Sequence, residues 1–349
     1  MRNKKLYNGL SSDQWSFINP KVSQKKAYEE LIKRQKGEIE PIRTGWKTVD
    51  QTYFDGFENG WMVAIAGSSG TGKTAFMIQM LDQMARVNKK PMAYVIYSFE
   101  MTDKRVIHRM ISYTYRKDMR SLYSVGKGDK ISVRDFKKMQ EQELPFVQQS
   151  STFVTESLDP YEMVEHNKAF REMLIAKHGP EIGANMTMVT IVDHLLLARG
   201  AQSKSGLDDL ILAQNEYKKY DENTLQINLV QLNRNFDEVS RASVDSPGKH
   251  YPIKSDLYGS DVIWQTCDSV MCLSNPSDRG LPFYGPEKFR VEDGKTELPY
   301  VFLHHLKNRE AGRKGSITPF IFEGQYYKFI EAFDAPWRNN SDTMSVEDM

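Results

Sequence analysis

The sequence predicts an α/β fold: a mostly parallel central sheet flanked by helices, with a short helical extension in front of it. Three observations predict it. From about Pro41 onward, short apolar runs alternate with amphipathic stretches, the pattern of a strand–helix–strand chain. Several of those runs are apolar throughout, as strands covered on both faces should be. One of them, residues 62–66, leads directly into a glycine-rich octapeptide with an amphipathic stretch behind it.

The strands are expected at 62–66, 92–98, 186–192, 227–232, 269–273, 300–305 and 317–322. The helices between them are expected at 74–87, 102–115, 159–178 and 207–220. Residues 200–206, 236–254 and 275–295 are small, polar or rich in Pro and Gly, and read as loops. Ahead of the core, residues 23–36 read as a helix with Ser23 as its N-cap. Its apolar stripe, Tyr28, Leu31 and Ile32, is too narrow for an independent core and suits docking on a neighbouring surface. The expected organisation is an extension over 1–40, a core over 41–331, and a polar tail over 332–349. The tail is acidic at its end (Asp342, Glu347, Asp348), and its composition predicts disorder.

Composition narrows the class. The chain has 349 residues, 40% of them hydrophobic, enough to bury a sizeable core. Its net charge is +1, so any surface for nucleic acid must be a local one. No apolar run is long enough to span a bilayer, and the basic start, Met1-Arg2-Asn3-Lys4-Lys5, has no apolar segment behind it. A cytoplasmic protein without a membrane partner is the expectation. The two cysteines, Cys267 and Cys272, can build neither a disulfide framework nor a zinc site alone, and read as reduced buried thiols.

The octapeptide carries the chemistry. Gly67-Ser68-Ser69-Gly70-Thr71-Gly72-Lys73-Thr74 fits G-x-x-x-x-G-K-[ST], with a strand before it and a helix after it. Glycines let several backbone N–H groups aim at one point, and the helix N-terminus adds its dipole. Lys73 is expected on the outer phosphates of ATP, and the Thr74 hydroxyl on Mg²⁺. Other candidates stand at strand ends. Asp193 ends an apolar strand, where a second Mg²⁺-associated acid belongs; taken alone it would read as a helix cap. Glu100 follows the strand 94–98 and could polarise an attacking water, or could be an ordinary acid at a helix start. Gln231 could meet the γ-phosphate, or simply bond to backbone. Lys307 and Arg309, followed by Gly312, Arg313, Lys314 and Gly315, read either as a solvated hairpin or as cations offered to a neighbouring subunit's site.

In order, these segments resemble the C-terminal motor domain of DnaB-type replicative helicases, over about residues 42–330. The resemblance is carried by Thr44-Gly45-Trp46 with Gly56 to Gly60 before the phosphate loop, Ser98-Phe99-Glu100-Met101, and Ile191-Val192-Asp193-His194-Leu195. Downstream it continues through Val230-Gln231-Leu232-Asn233-Arg234, Ser255-Asp256-Leu257 with Ile263 to Asp268, and His305-Leu306-Lys307-Asn308-Arg309. The phosphate loop alone is shared by many ATPases; the set in this order is specific. His194 departs from the family, which carries an aromatic there. The family's N-terminal helical domain is expected to be absent, with only the helix 23–36 ahead of the core, which would fit a compact, phage-type or otherwise minimal version.

The resemblance implies a RecA-like P-loop NTPase core. It assigns Glu100 as the catalytic glutamate, Asp193 as the metal acid, Gln231 and Lys307 as sensors and Arg309 as an arginine finger. It implies a hexameric ring translocating on single-stranded DNA, with primase, a helicase loader or other replisome proteins as partners. Residues 200–206 and 236–254 would be its DNA-binding loops, with Lys204, Arg241, Lys249 and Lys254 as candidate phosphate contacts. Two other classes stay open: a RecA/RadA-like recombinase and a KaiC-like regulatory ATPase. Strand displacement separates helicase from both.

Overall fold

The apolar runs pair into one sheet in a computed structural model of the chain, which describes residues 19–126, 130–310 and 315–332. Met1–Lys5, Gly312–Lys314 and the acidic tail lie outside the described residues. The strands are β1 (Met62–Gly67), β2 (Met92–Ser98), β3 (Ser150–Val154), β4 (Thr187–Asp193), β5 (Thr224–Gln231), β6 (Ser269–Ser274), β7 (Tyr300–Asn308), β8 (Ile317–Glu323) and β9 (Lys328–Glu331). They stand in the order β3-β2-β4-β5-β1-β6-β7-β8-β9. The first six run parallel, and β7, β8 and β9 continue as an antiparallel meander.

The helices are α1 (Pro20–Gln35), α2 (Lys47–Thr52), α3 (Lys73–Val87), α4 (Asp103–Tyr115), α5 (Met119–Tyr123), α6 (Val133–Gln140), α7 (Pro160–His178), α8 (Pro180–Asn185), α9 (Lys204–Tyr220) and α10 (Ser260–Thr266). The central strands are buried along nearly their whole length because helices cover both faces. Val63 and Ile65 of β1 join one core with Phe76 and Met80 of α3 and Val106 and Met110 of α4. Met62, Ala64 and Ala66, pointing the other way, join a second core with Phe170 of α7, Leu210 and Ile211 of α9 and Ile263 of α10. Trp46 stacks on Phe76 at 4.2 Å, which seats α2 against α3.

The described residues divide between Pro41 and Ile42 into two units. The first is α1. Its N-cap is Asn19, whose side chain accepts from the Lys21 N–H, with Pro20 in the first turn; Ser23 therefore lies inside the helix and does not cap it. The helix buries none of its residues.

Other differences from the sequence reading have local causes. Ser203 caps α9 by accepting from Gly206 N, so Lys204, Ser205 and Gly206 are a helical turn rather than loop. The 236–254 segment carries short 3₁₀ turns at Val239–Arg241 and Pro247–Lys249, with Lys254–Asp256 at its end. The sequence does not mark β3 and β9, because both lie at sheet edges, where a strand needs no continuous apolar run. No described helix is long and apolar enough to cross a membrane.

Candidate active site

β1 delivers the phosphate loop to the C-terminal edge of the parallel strands. Gly70 and Gly72 have φ of +86° and +89°, which a side chain would resist. Gly72 also lies against a stacked pair of rings, since a Cβ there would stand 3.0 Å from Phe329 and 3.4 Å from Phe322. Thr71 closes the turn by donating its hydroxyl to Ser68 O at 2.9 Å. α3 begins at Lys73, so its first N–H groups and its positive end face the loop.

Lys73 folds across the loop it belongs to. Its Nζ donates to Gly67 O at 2.7 Å and to Ser68 O at 2.8 Å. Burial holds its pKa below the usual lysine value, against the pull of Asp193, Cys272, Glu100 and Asp237. Thr74, one residue on, donates to Asp193 Oδ2 at 3.0 Å. β4 places that carboxylate, with Asp193 in register with Ser98 at the end of β2. Burial pushes the Asp193 carboxyl up to about 6; the Thr74 bond opposes this and Glu100 adds to it. A buried carboxylate and a hydroxyl on adjacent oxygens suit a hard divalent cation, whose charge would offset the cost of burying the acid.

Glu100 lies two residues past β2 and is exposed. Phe99 N bonds Asp193 O at 3.0 Å, fixing the approach of the two strand ends. Glu100 is close enough to weigh on the protonation of Asp193, Lys73 and His194. Gln231 ends β5 directly opposite Gly67, the first residue of the phosphate loop. The structure thus brings together the loop, Asp193, Glu100 and Gln231.

Two site residues escape the sequence reading. Arg109 of α4 stacks over Tyr327 at 5.1 Å and bears on the charge of Asp193. His194 stands out in the sequence only as a departure, yet it is half-buried beside Asp193, with its Nδ1 enclosed and without a hydrogen-bond partner. Burial holds its pKa down. A lone arginine within an amphipathic helix gives no sequence signal for such a place.

Lys307 and Arg309 sit elsewhere. β7 runs antiparallel to β6, so its end, Asn308, lies opposite Ser269 at the start of β6. Arg309 Nη1 donates to Asp268 Oδ1 at 2.9 Å, and the other oxygen of Asp268 accepts from Met62 N, the first residue of β1. The phosphate loop leaves β1 at Gly67, roughly 17 Å along the strand at about 3.3 Å per residue. Lys307 Nζ donates to Trp264 O and to Cys267 O, and Arg309 Nη2 to Gln265 O, so both cations cap the C-terminus of α10. Neither belongs to the cluster around the chain's own phosphate loop.

Residues 41–331 match the DnaB-like helicase C terminal domain family. The chain belongs to that family. It is 23% identical to the replicative DNA helicase DnaB of Haemophilus influenzae over 82% of its own length and 54% of that protein's. It is 23% identical to the DnaB of Mycoplasma genitalium, over 94% of this chain and 64% of the relative. The chain thus spans between half and two thirds of these relatives. Among solved structures, an isolated ATPase domain superposes with a TM-score of 0.68 at 16% identity, covering 90% of this chain and 99% of that one. A DnaB-like replicative helicase, studied with its interactions with primase, superposes at 0.66 and 18% identity, covering 90% of this chain and 67% of that one. These folds are RecA-like, as is this one.

Against that family frame the four DNA-contact candidates differ among themselves. Lys204 is exposed at the start of α9, and Lys249 is exposed in a 3₁₀ turn. Lys254 is exposed and pairs with Asp261 at 3.1 Å. Arg241 does not extend outward. It grips Asp256 with both Nη atoms, at 2.8 and 3.0 Å, and donates to Lys249 O and Tyr251 O. With the Asp256 side chain 3% exposed, the pair braces the segment from within.

Proposed function

We propose that this chain is an ATP-driven DNA helicase motor that works as a hexameric ring and translocates on single-stranded DNA during replication. One observation supports this above the others: the phosphate loop, Asp193, Glu100 and Gln231 stand towards one end of β1, and the cations Lys307 and Arg309 at the other. A site of this kind is complete only when a second copy supplies its cations, which is the logic of a ring with nucleotide between subunits.

In this reading the phosphate loop, Gly67 to Thr74, wraps the polyphosphate with its N–H groups, and Lys73 exchanges Gly67 O and Ser68 O for phosphate oxygens. Thr74 and Asp193 would hold Mg²⁺, which would neutralise charge on the outer phosphates. Glu100 orients the attacking water and takes its proton, and Gln231 meets the γ-phosphate. Arg309, released from Asp268, stabilises transition-state charge in the neighbour's site, with Lys307 beside it. Lys204, Lys249 and Lys254 meet the DNA backbone without reading sequence. The exposed stripe of α1, Tyr28, Leu31 and Ile32, docks on an adjacent copy. Primase and a helicase loader are the expected partners.

The test is ATP turnover with and without single-stranded DNA, beside displacement of a strand from a forked duplex. DNA-stimulated turnover with displacement is expected. Stimulated turnover with no displacement would turn the reading towards a recombinase or regulatory ATPase.

A further inference from the structure

Ser68, the second residue of the phosphate loop, donates its hydroxyl to Asp237 Oδ1 at 2.9 Å. Asp237 comes from a different part of the chain. It ends the 3₁₀ turn Arg234–Asp237 behind β5 and stands at the head of the 236–254 segment. Its carboxylate is also close enough to Lys73 to favour the charged ammonium. The neighbouring Phe236 is buried, with the guanidinium groups of Arg279 and Arg241 over its ring at 4.3 and 5.2 Å. Arg279 then donates to His250 O and Arg241 O. The segment is therefore knit to itself through Arg241 and to the 275–295 segment through Arg279, and the Asp237 carboxylate ties it to the phosphate loop. A cavity of about 540 Å³ opens between Ser68, Ser69 and Thr71 on one side and Phe236, Asp237 and Arg279 on the other, leaving room for the carboxylate to move.

We propose that Asp237 is an anionic latch: it holds the 236–254 segment to the phosphate loop through Ser68, and it lets go when a polyphosphate enters the loop. The latch rests on the nucleotide reading above and extends it to a way of passing nucleotide state to a segment expected to face DNA. The physical reason is competition between anions. Asp237 supplies negative charge beside Lys73; a triphosphate brings several charges to the same place. Anions within a screening length, about 8 Å at physiological salt, repel, and the more weakly held one yields. Asp237 is held at this end by one exposed contact, so releasing it costs the fold little. Coupling is reciprocal: if nucleotide opens the latch, removing the latch tightens nucleotide binding by the same factor.

The test is hydrogen exchange of the full chain with and without Mg²⁺ and a non-hydrolysable ATP analogue, read over residues 236–250, with analogue affinity measured by calorimetry. In the wild type, exchange there should rise about fivefold or more on binding. Asp237→Ala should exchange fast in both states and bind the analogue more tightly by a similar factor. Asp237→Asn keeps an acceptor for Ser68 but loses the charge, so it should exchange slowly in both states. A passive surface bond predicts that Asp237→Asn responds like wild type. That result, or a wild type that binds the analogue with unchanged exchange, overturns the latch. A wild type that fails to bind the analogue overturns the nucleotide reading, and the latch with it.

Discussion

Thr74 Oγ1 donates to Asp193 Oδ2 at 3.0 Å, across 119 residues of chain. The contact joins the first turn of α3 to the last residue of β4, and both oxygens face the same edge of the sheet as the phosphate loop. Asp193→Asn keeps the size and one acceptor for Thr74 but removes the charge a divalent cation needs. The variant should fold, and the Mg²⁺ concentration for half-maximal ATP turnover should rise at least about tenfold. An unchanged Mg²⁺ requirement would return Asp193 to the role of a strand-end acceptor.

Glu100 tests binding against chemistry. Its carboxylate is exposed and close to Lys73 and Asp193, which suits a group that meets a water and not a core. Glu100→Gln is nearly isosteric and a poor base, so nucleotide binding should persist while turnover falls by about 10²–10⁴. Normal turnover would leave Glu100 as an acid at the start of α4.

Much of this was legible because the relevant signals are local. The octapeptide 67–74 is contiguous, and Asp193, Glu100 and Gln231 each stand at or just past the end of an apolar run, the position from which side chains reach the sheet edge. Sequence could not show which end of the sheet each strand presents. Lys307 and Arg309 look equivalent to Gln231 as strand-end residues, but β7 is antiparallel, so its end lies at the other edge. The Arg241 brace was hidden for a related reason. An arginine in a polar segment reads as solvated, and its partner Asp256 is brought to it only by the folding of the 3₁₀ turns.

Arg241 and Lys249 should therefore separate under mutation, although both lie in one segment. Arg241→Ala leaves the buried Asp256 carboxylate without its ion partner, a loss of about 3–5 kcal/mol if the segment cannot rearrange. Chemical denaturation should report it as a lowered midpoint. Lys249→Ala removes an exposed cation, should leave the midpoint in place, and should weaken single-strand binding while flattening its salt dependence. Equal effects of the two variants on stability would contradict the brace.

Asp50 offers a pH test of the core. Its carboxylate accepts from Thr44 N, Thr44 Oγ1 and Gly45 N, yet burial pushes its pKa up from the ordinary aspartate value to about 6. A raised pKa means that the native state holds this proton more tightly than the unfolded chain. The stability this contributes is complete below about pH 4 and is lost as pH rises through about 6. Asp50→Asn cannot titrate. Between pH 4 and 7 wild type should lose about 2 kcal/mol relative to the variant, read from denaturant midpoints. Parallel pH profiles would show that burial does not disfavour the charged carboxylate.

The ring reading is tested most directly by mixing. Arg309 shares Asp268 with the first residue of β1, while the phosphate loop leaves its last, so one chain cannot bring both to one site without refolding the sheet. If Arg309 acts in trans, each site takes Lys73 from one subunit and Arg309 from the next. Arg309→Ala should then lower turnover by about 10³ or more while nucleotide binding and folding persist. Lys73→Ala should abolish turnover in a folded protein, since Lys73 Nζ bonds only to carbonyls of its own loop among the described residues. Where the two mutants abut in one order, a site forms with both defects; in the other order, a site forms with neither. Mixing two nearly inactive proteins should therefore restore turnover, and dilution below the assembly range should remove it again. A cation that only caps α10 predicts no rescue at any ratio. Deleting residues 1–40 supplies the complementary arm. If the α1 stripe docks on the adjacent copy, light scattering should show a smaller assembly and turnover should fall with it; a truncated protein that stays hexameric and active would separate α1 from the ring.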